Sequence, residues 1–118
     1  MSSDAKGRLI FSDKSLGRTT KQDKIHIMGA NGNMINTIKL INQNQYIDGL
    51  SLANEFIFLK YSSENNIRIL NFEGKQVYQI ELENKNSNYS NTVFYADSLS
   101  KKLYIYQNKK ILEYSIEL

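Results

Sequence analysis

The chain has no cysteine, no proline and no tryptophan, and only one histidine among its 118 residues. Without cysteine there is no disulfide, no thiolate metal site and no cysteine nucleophile, a usage compatible with an intracellular, cytoplasmic setting. Without proline, where about 5% is usual, there are no proline-rich linkers, and a disordered tail is not expected. Long apolar runs are missing too. Nothing approaches the ~20 residues of a membrane-spanning helix, so no membrane partner is expected. The opening MSSDAKGRLIF has no apolar core of the length a signal peptide needs. Fifteen Lys+Arg against 12 Asp+Glu leave a net charge of +3, too mild an excess to imply nucleic acid by itself.

What is abundant is strand and turn material. Eight tyrosines and five phenylalanines join Ile and Val in apolar blocks of three to six residues. Fourteen asparagines gather with Gly, Ser and Lys between the blocks, where Asn tolerates left-handed backbone. This pattern predicts strands over 8–12, 24–28, 34–40, 46–53, 56–61, 67–71, 76–82, 92–96, 103–106 and 111–117, and no helix. Phe56 to Leu59 and Leu103 to Tyr106 are apolar without alternation, which predicts burial on both faces. The last strand alternates and suits a half-solvated position. Ala30-Asn31-Gly32-Asn33 holds an Asn-Gly pair, expected as a type I′ turn with positive φ at both central residues; Phe72-Glu73-Gly74-Lys75 takes the corresponding place later in the chain.

That correspondence is part of a repeat. IHIMGANGNMINTIKL, from Ile25 to Leu40, lies without a gap over IRILNFEGKQVYQIEL, from Ile67 to Leu82, a displacement of 42 residues (67 − 25). Leu9-Ile10-Phe11, Phe56-Ile57-Phe58 and Leu103-Tyr104-Ile105 form a second aligned set at intervals of 47 (56 − 9 and 103 − 56). A loop five residues longer after Phe11 than after Phe58 accounts for the mismatch, and loops tolerate such insertions. A period of ~40–45 residues built of short strands marks a β-propeller blade. FIFLKYSSENNIRILNFEGKQVYQI resembles one unit of the NHL-type and YWTD-type propeller repeats: an apolar strand, a polar loop, an I-x-[IV] strand, a turn with Gly, and a further apolar strand. RLIFSDKSLGRTTKQDKIHIMGANGNMINTI and VFYADSLSKKLYIYQNKKILEY resemble two more.

The expected fold is therefore all-β, stacked four-stranded antiparallel blades of a β-propeller, with a small β-sandwich or barrel as the alternative. Residues 1–118 form a single domain or a fragment of one propeller domain, with repeat units at approximately 7–40, 46–82 and 92–118. The strand count predicts about two and a half blades, beginning mid-blade with two strands. Propellers close with ~4–8 blades, so two broad apolar faces are left for a longer chain, a ring of copies or a partner protein.

Motifs for chemistry are sparse. His26 stands between Ile25 and Ile27, and Arg68 takes its place one repeat later, which favours a polar outward position over a general base. Asp97 ends a strand, where Asp caps turns. Gly29-Ala30-Asn31-Gly32 connects two strands, so it reads as a hairpin turn, not a phosphate loop. No metal-ligand spacing or cofactor fingerprint stands out, so neither cofactor nor metal is expected. In an up-and-down blade alternate loops share a side, and one side carries most of the excess positive charge. The candidate binding residues are Lys14, Arg18, Lys21, Lys24, Tyr61, Tyr106, Lys109 and Lys110, suited to an acidic protein segment or single-stranded RNA. The resemblance implies a non-catalytic protein–protein interaction scaffold, with protein partners or self-association through exposed blade faces. Single-stranded RNA binding on the basic loop face and a hydrolase with a central-channel site are the alternatives.

Overall fold

Short apolar blocks broken by Asn, Gly and Lys leave each strand no room to exceed seven residues, and pairing follows chain order. A computed structural model of the chain describes residues 2–3, 6–12, 24–40, 47–61, 64–82, 93–107 and 109–116. These residues form antiparallel strands and no helix. Sheet 1 runs in the order β1 (Ser2–Ser3), β2 (Leu9–Ser12), β3 (Lys24–Met28), β4 (Met34–Lys39). Sheet 2 runs β5 (Ile47–Ala53), β6 (Phe56–Tyr61), β7 (Asn66–Asn71), β8 (Gln76–Glu81). Sheet 3 runs β9 (Val93–Asp97), β10 (Lys102–Gln107), β11 (Lys110–Ser115). The two-stranded start expected from the strand count is corrected, because β1 pairs with β2 through Ser2–Ile10 and Ser3–Leu9 and completes a four-stranded sheet.

The 42-residue repeat holds in three dimensions. Ile25 pairs with Ile38 and Ile67 with Ile80; both hairpins shift register at the same step, between Ile27 and Met28 and between Ile69 and Leu70. Their turns match atom for atom. Gly32 N donates to Gly29 O (3.0 Å) and Gly29 N to Asn33 O (2.8 Å); Gly74 N donates to Asn71 O (3.0 Å) and Asn71 N to Lys75 O (2.9 Å). Only the glycines have positive φ, +85° at Gly32 and +86° at Gly74. The expected type I′ turn is thus replaced by a four-residue turn closed by a left-handed glycine with a bulge. The extra residue explains why Asn31 need not adopt positive φ.

The 47-residue interval is off by one. Leu9 lies opposite Met28 and Ile57 opposite Leu70; those partners are 42 apart (70 − 28), which places Leu9 and Ile57 48 apart (57 − 9). A slip of one residue turns every side chain to the other face. With the corrected register Ile10 corresponds to Phe58, and both are fully buried.

The sheets stack face to face in chain order, and the described residues form no closed sandwich or barrel. One core lies between sheets 1 and 2, built on Ile10, Ile25, Ile27 and Ile38 against Leu52, Ile57, Leu59 and Leu70. A second lies between sheets 2 and 3, with Phe58, Ile67 and Ile69 against Phe94, Leu103 and Ile105. Sheet 2, covered on both sides, bears out the double-sided burial expected of Phe56 to Leu59: Ile57, Phe58 and Leu59 are all buried. The first strands lie together, with β5 beside β1, β2 and β9, and Ser51 Oγ accepts a hydrogen bond from Ala96 N (2.9 Å) between them. The last strands β4 and β8 lie outward and are largely exposed.

Candidate interaction surfaces

Antiparallel order sends alternate connections to opposite sides. Turns 29–33, 54–55, 72–75 and 98–101 share one side, and residues 64–65 and 109, which follow β6 and β10, lie on the other. Of the eight candidate residues, Lys14, Arg18 and Lys21 lie outside the described residues. Lys24 opens β3, exposed and directly opposite Lys39. Lys109 and Lys110 are exposed in the β10–β11 hairpin, Lys109 with φ of 62°. Tyr106 lies on β10 between Val93 and Ile111. The hairpin brings Tyr106, Lys109 and Lys110 together; Lys24 belongs to sheet 1, on the far side of sheet 2. Tyr61 differs from its expected role as an exposed stacking surface. It ends β6 at 3% exposure, inside the first core.

Around Tyr61 is a polar cluster that sequence reading did not single out. Arg68 Nε and Nη2 donate to the Glu64 oxygens at 2.8 and 2.5 Å, Nη1 donates to Gln76 Oε1 at 3.0 Å, and the guanidinium lies 5.6 Å from the Tyr61 ring centroid. The Glu64 hydrogen bonds hold Arg68 above its ordinary pKa, against the opposing effect of burial. Burial raises the Tyr61 pKa, Arg68 pulls it down and Glu64 adds to the rise. Beside the cluster a cavity of about 340 Å³ opens between β4 and sheet 2, lined by Leu40, Leu59, Tyr61, Leu70 and Lys75 among others. With its donors engaged, Arg68 shapes this wall. The one signal for it in the sequence was its place as the repeat partner of His26.

His26 itself is half-buried: Nδ1 is 3.0 Å from Thr37 Oγ1 and the ring packs against Phe11 at 5.2 Å between centroids. Asp97 caps its turn as expected, accepting from Leu99 N and the Ser100 hydroxyl. Among the described residues no three His, Cys, Asp or Glu side chains gather in a way that would hold a metal ion. Among the described residues no helix is long and apolar enough to cross a membrane.

The ends of the stack are the remaining surfaces. Cross-strand partners share a face, so Val93, Tyr106 and Ile111 form one row, and Tyr95, Tyr104 and Glu113 the next, on the side of sheet 3 away from sheet 2. Val93 is 65% exposed, Ile111 71%, Tyr106 47% and Tyr95 42%. The burial expected on both faces of Leu103 to Tyr106 is therefore corrected: Leu103 and Ile105 are buried against sheet 2, while Tyr104 and Tyr106 face outward with no fourth sheet among the described residues over them. Sheet 1 has the matching side, where no sheet among the described residues lies over Leu9, Phe11, His26 and Met28, all half-buried.

No protein-family model matches this sequence, and no curated protein does. Solved structures match it clearly. The WD40 repeats of RRP9 superpose on 98% of the chain with a TM-score of 0.53 at 13% identity. A virginiamycin B lyase from Staphylococcus aureus does so on 98% with a TM-score of 0.51, also at 13% identity. The chain spans 36% and 40% of the lengths of those two. At such identities the likeness is one of architecture: the three sheets are blades of the β-propeller type.

Proposed function

We propose that this chain is a non-catalytic protein–protein interaction scaffold, made of propeller blades of NHL-like or YWTD-like kind and working within a larger or oligomeric assembly. The observation that carries the reading is the outer face of sheet 3, where Val93, Tyr95, Tyr106 and Ile111 stand exposed in adjacent cross-strand rows. A sheet face meant for solvent alternates to polar residues; contiguous exposed apolar and aromatic side chains mark an interaction site. The polar groups capable of chemistry serve the frame, Arg68 on Glu64 and Gln76 and His26 on Thr37. The glycine turn and I-x-I strand that recur at 42 residues support the repeat type, although fold alone does not fix function.

The test is quantitative co-purification of the tagged chain and of its Tyr106→Glu/Ile111→Lys variant. Protein recovered with the wild type should fall by ~10-fold or more with a variant of unchanged melting temperature, equivalent to about 1.4 kcal/mol of binding. Recovery indifferent to the variant, or association with neither another protein nor untagged copies of the chain, would sink the reading. Association that is lost to nuclease and weakens steeply with salt would point to single-stranded RNA instead.

A further inference from the structure

The two bare faces are the two halves of a contact the chain already makes twice. Call the face of each sheet toward the next sheet leading, and the opposite face trailing. The leading faces of sheets 1 and 2 carry Ile10 with Ile25, and Phe58 with Ile67, and all four are fully buried against the following sheet. The leading face of sheet 3 carries Tyr104, Tyr106, Ile111 and Glu113 on the strands that follow its first, with no sheet among the described residues over them. On the trailing side, Leu9, Phe11 and Met28 of sheet 1 occupy the places of Ile57, Leu59 and Leu70 of sheet 2, judged by their partners in register. The sheet 2 residues are buried in the first core; the sheet 1 residues are half-buried. His26 stands in the place of Arg68, which lies inside the contact between sheets 1 and 2. Gly32 repeats Gly74: a Cβ on Gly74 would come within 2.7 Å of Ile38 in the preceding sheet, whereas nothing lies within 4 Å of one on Gly32.

We propose that copies of this chain stack head to tail, the leading face of sheet 3 in one copy covering the trailing face of sheet 1 in the next. The proposal rests on the scaffold reading and names its partner as a second copy. Both terminal faces keep apolar residues at most of the positions that blade packing uses inside the chain, Glu113 being the exception on sheet 3, so the chain carries matching surfaces on one molecule. Charge fits as well: on the leading face of sheet 3 Glu113 is ion-paired with Lys102, which leaves Asp97 as its uncompensated charge, and the trailing face of sheet 1 bears Lys24 beside Lys39. Such an interface is heterologous, which gives a ring where the rotation closes, and blades of this type close at ~4–8.

The experiment is light scattering coupled to size exclusion, over a range of concentrations, on the wild type, a leading-face variant (Tyr106→Glu/Ile111→Lys) and a trailing-face variant (Met28→Glu), each checked for folding by circular dichroism. The wild type should run as one closed species at an integer multiple of 13.7 kDa. Each variant alone should drop to the single-chain mass. An equimolar mixture of the two should restore a species of two chains, because each variant retains the face the other has lost. A wild type that stays monomeric at high micromolar concentration overturns the proposal, and so does an oligomer that survives both variants. A mixture that stays monomeric beside an oligomeric wild type excludes the head-to-tail arrangement. A monomer that still captures another protein through the sheet 3 face would defeat this proposal and leave the scaffold reading standing.

Discussion

Single residues set the geometry of the contact between sheets 1 and 2. Gly32 and Gly74 both need left-handed backbone, but only Gly74 sits against a neighbouring sheet, beside Ile38. Gly32→Ala should therefore cost about 1 kcal/mol, from backbone alone. Gly74→Ala should cost about 2–4 kcal/mol, because overpacking against Ile38 adds to the same strain. Urea denaturation of both variants measures the difference. Arg8 clamps the same contact from the turn side, with Nη2 donating to Asn54 O at 2.6 Å, Nη1 to Glu55 Oε1 at 3.2 Å, and its guanidinium 5.6 Å from the Phe72 ring centroid. Tyr61 gives the fold an alkaline limit. Burial keeps its phenol protonated above the ordinary value of about 10. Above that value the unfolded chain has lost a proton that the folded chain retains. Its contribution is therefore complete below about pH 10 and lost as pH rises through the folded pKa. Tyr61→Phe should lessen the fall in stability measured by denaturation between about pH 9 and 11.

At the scale of elements, the hairpin β3–β4 and its repeat β7–β8 were legible in the sequence because side-chain periodicity and turn chemistry are local. Ile25, Ile27, Gly32 and Ile38 recur as Ile67, Ile69, Gly74 and Ile80, and the backbone follows them through to the bulge. What local pattern could not supply was the register of β2 against β6, since LIF lies over FIF as readily as over IFL. Packing chose the offset that buries Ile10 and Phe58. The same limit hid the difference between β6 and β10. Both read as continuous apolar runs, yet β6 has a sheet on each side and β10 on one. This difference is measurable. Phe58→Ala should destabilise the isolated chain by about 3–5 kcal/mol, while Tyr104→Ala, on the bare face, should cost roughly 1 kcal/mol or less.

For the whole molecule, a stack of three sheets gives the middle one a stability the outer ones lack. Hydrogen exchange should be slowest in β6 and β7, whose Ile57, Phe58, Ile67 and Ile69 are buried between neighbours, and fastest in the exposed outer strands β4 and β8. A uniform protection pattern across the three sheets would contradict that gradient. The candidate site shows the same division. Lys109, Lys110 and Tyr106 fell together because one hairpin carries them. Tyr61 was lost to the core, and the cluster of Arg68, Glu64 and Gln76 emerged from folding β6, β7 and β8 side by side. By itself the sequence determined the strands from β2 onward, the places of the glycine turns and the 42-residue blade unit, all products of neighbouring residues and their hydrogen bonds. Tertiary structure alone decided which face of each strand is covered and which faces remain bare, because burial depends on a sheet contributed by residues some forty positions away.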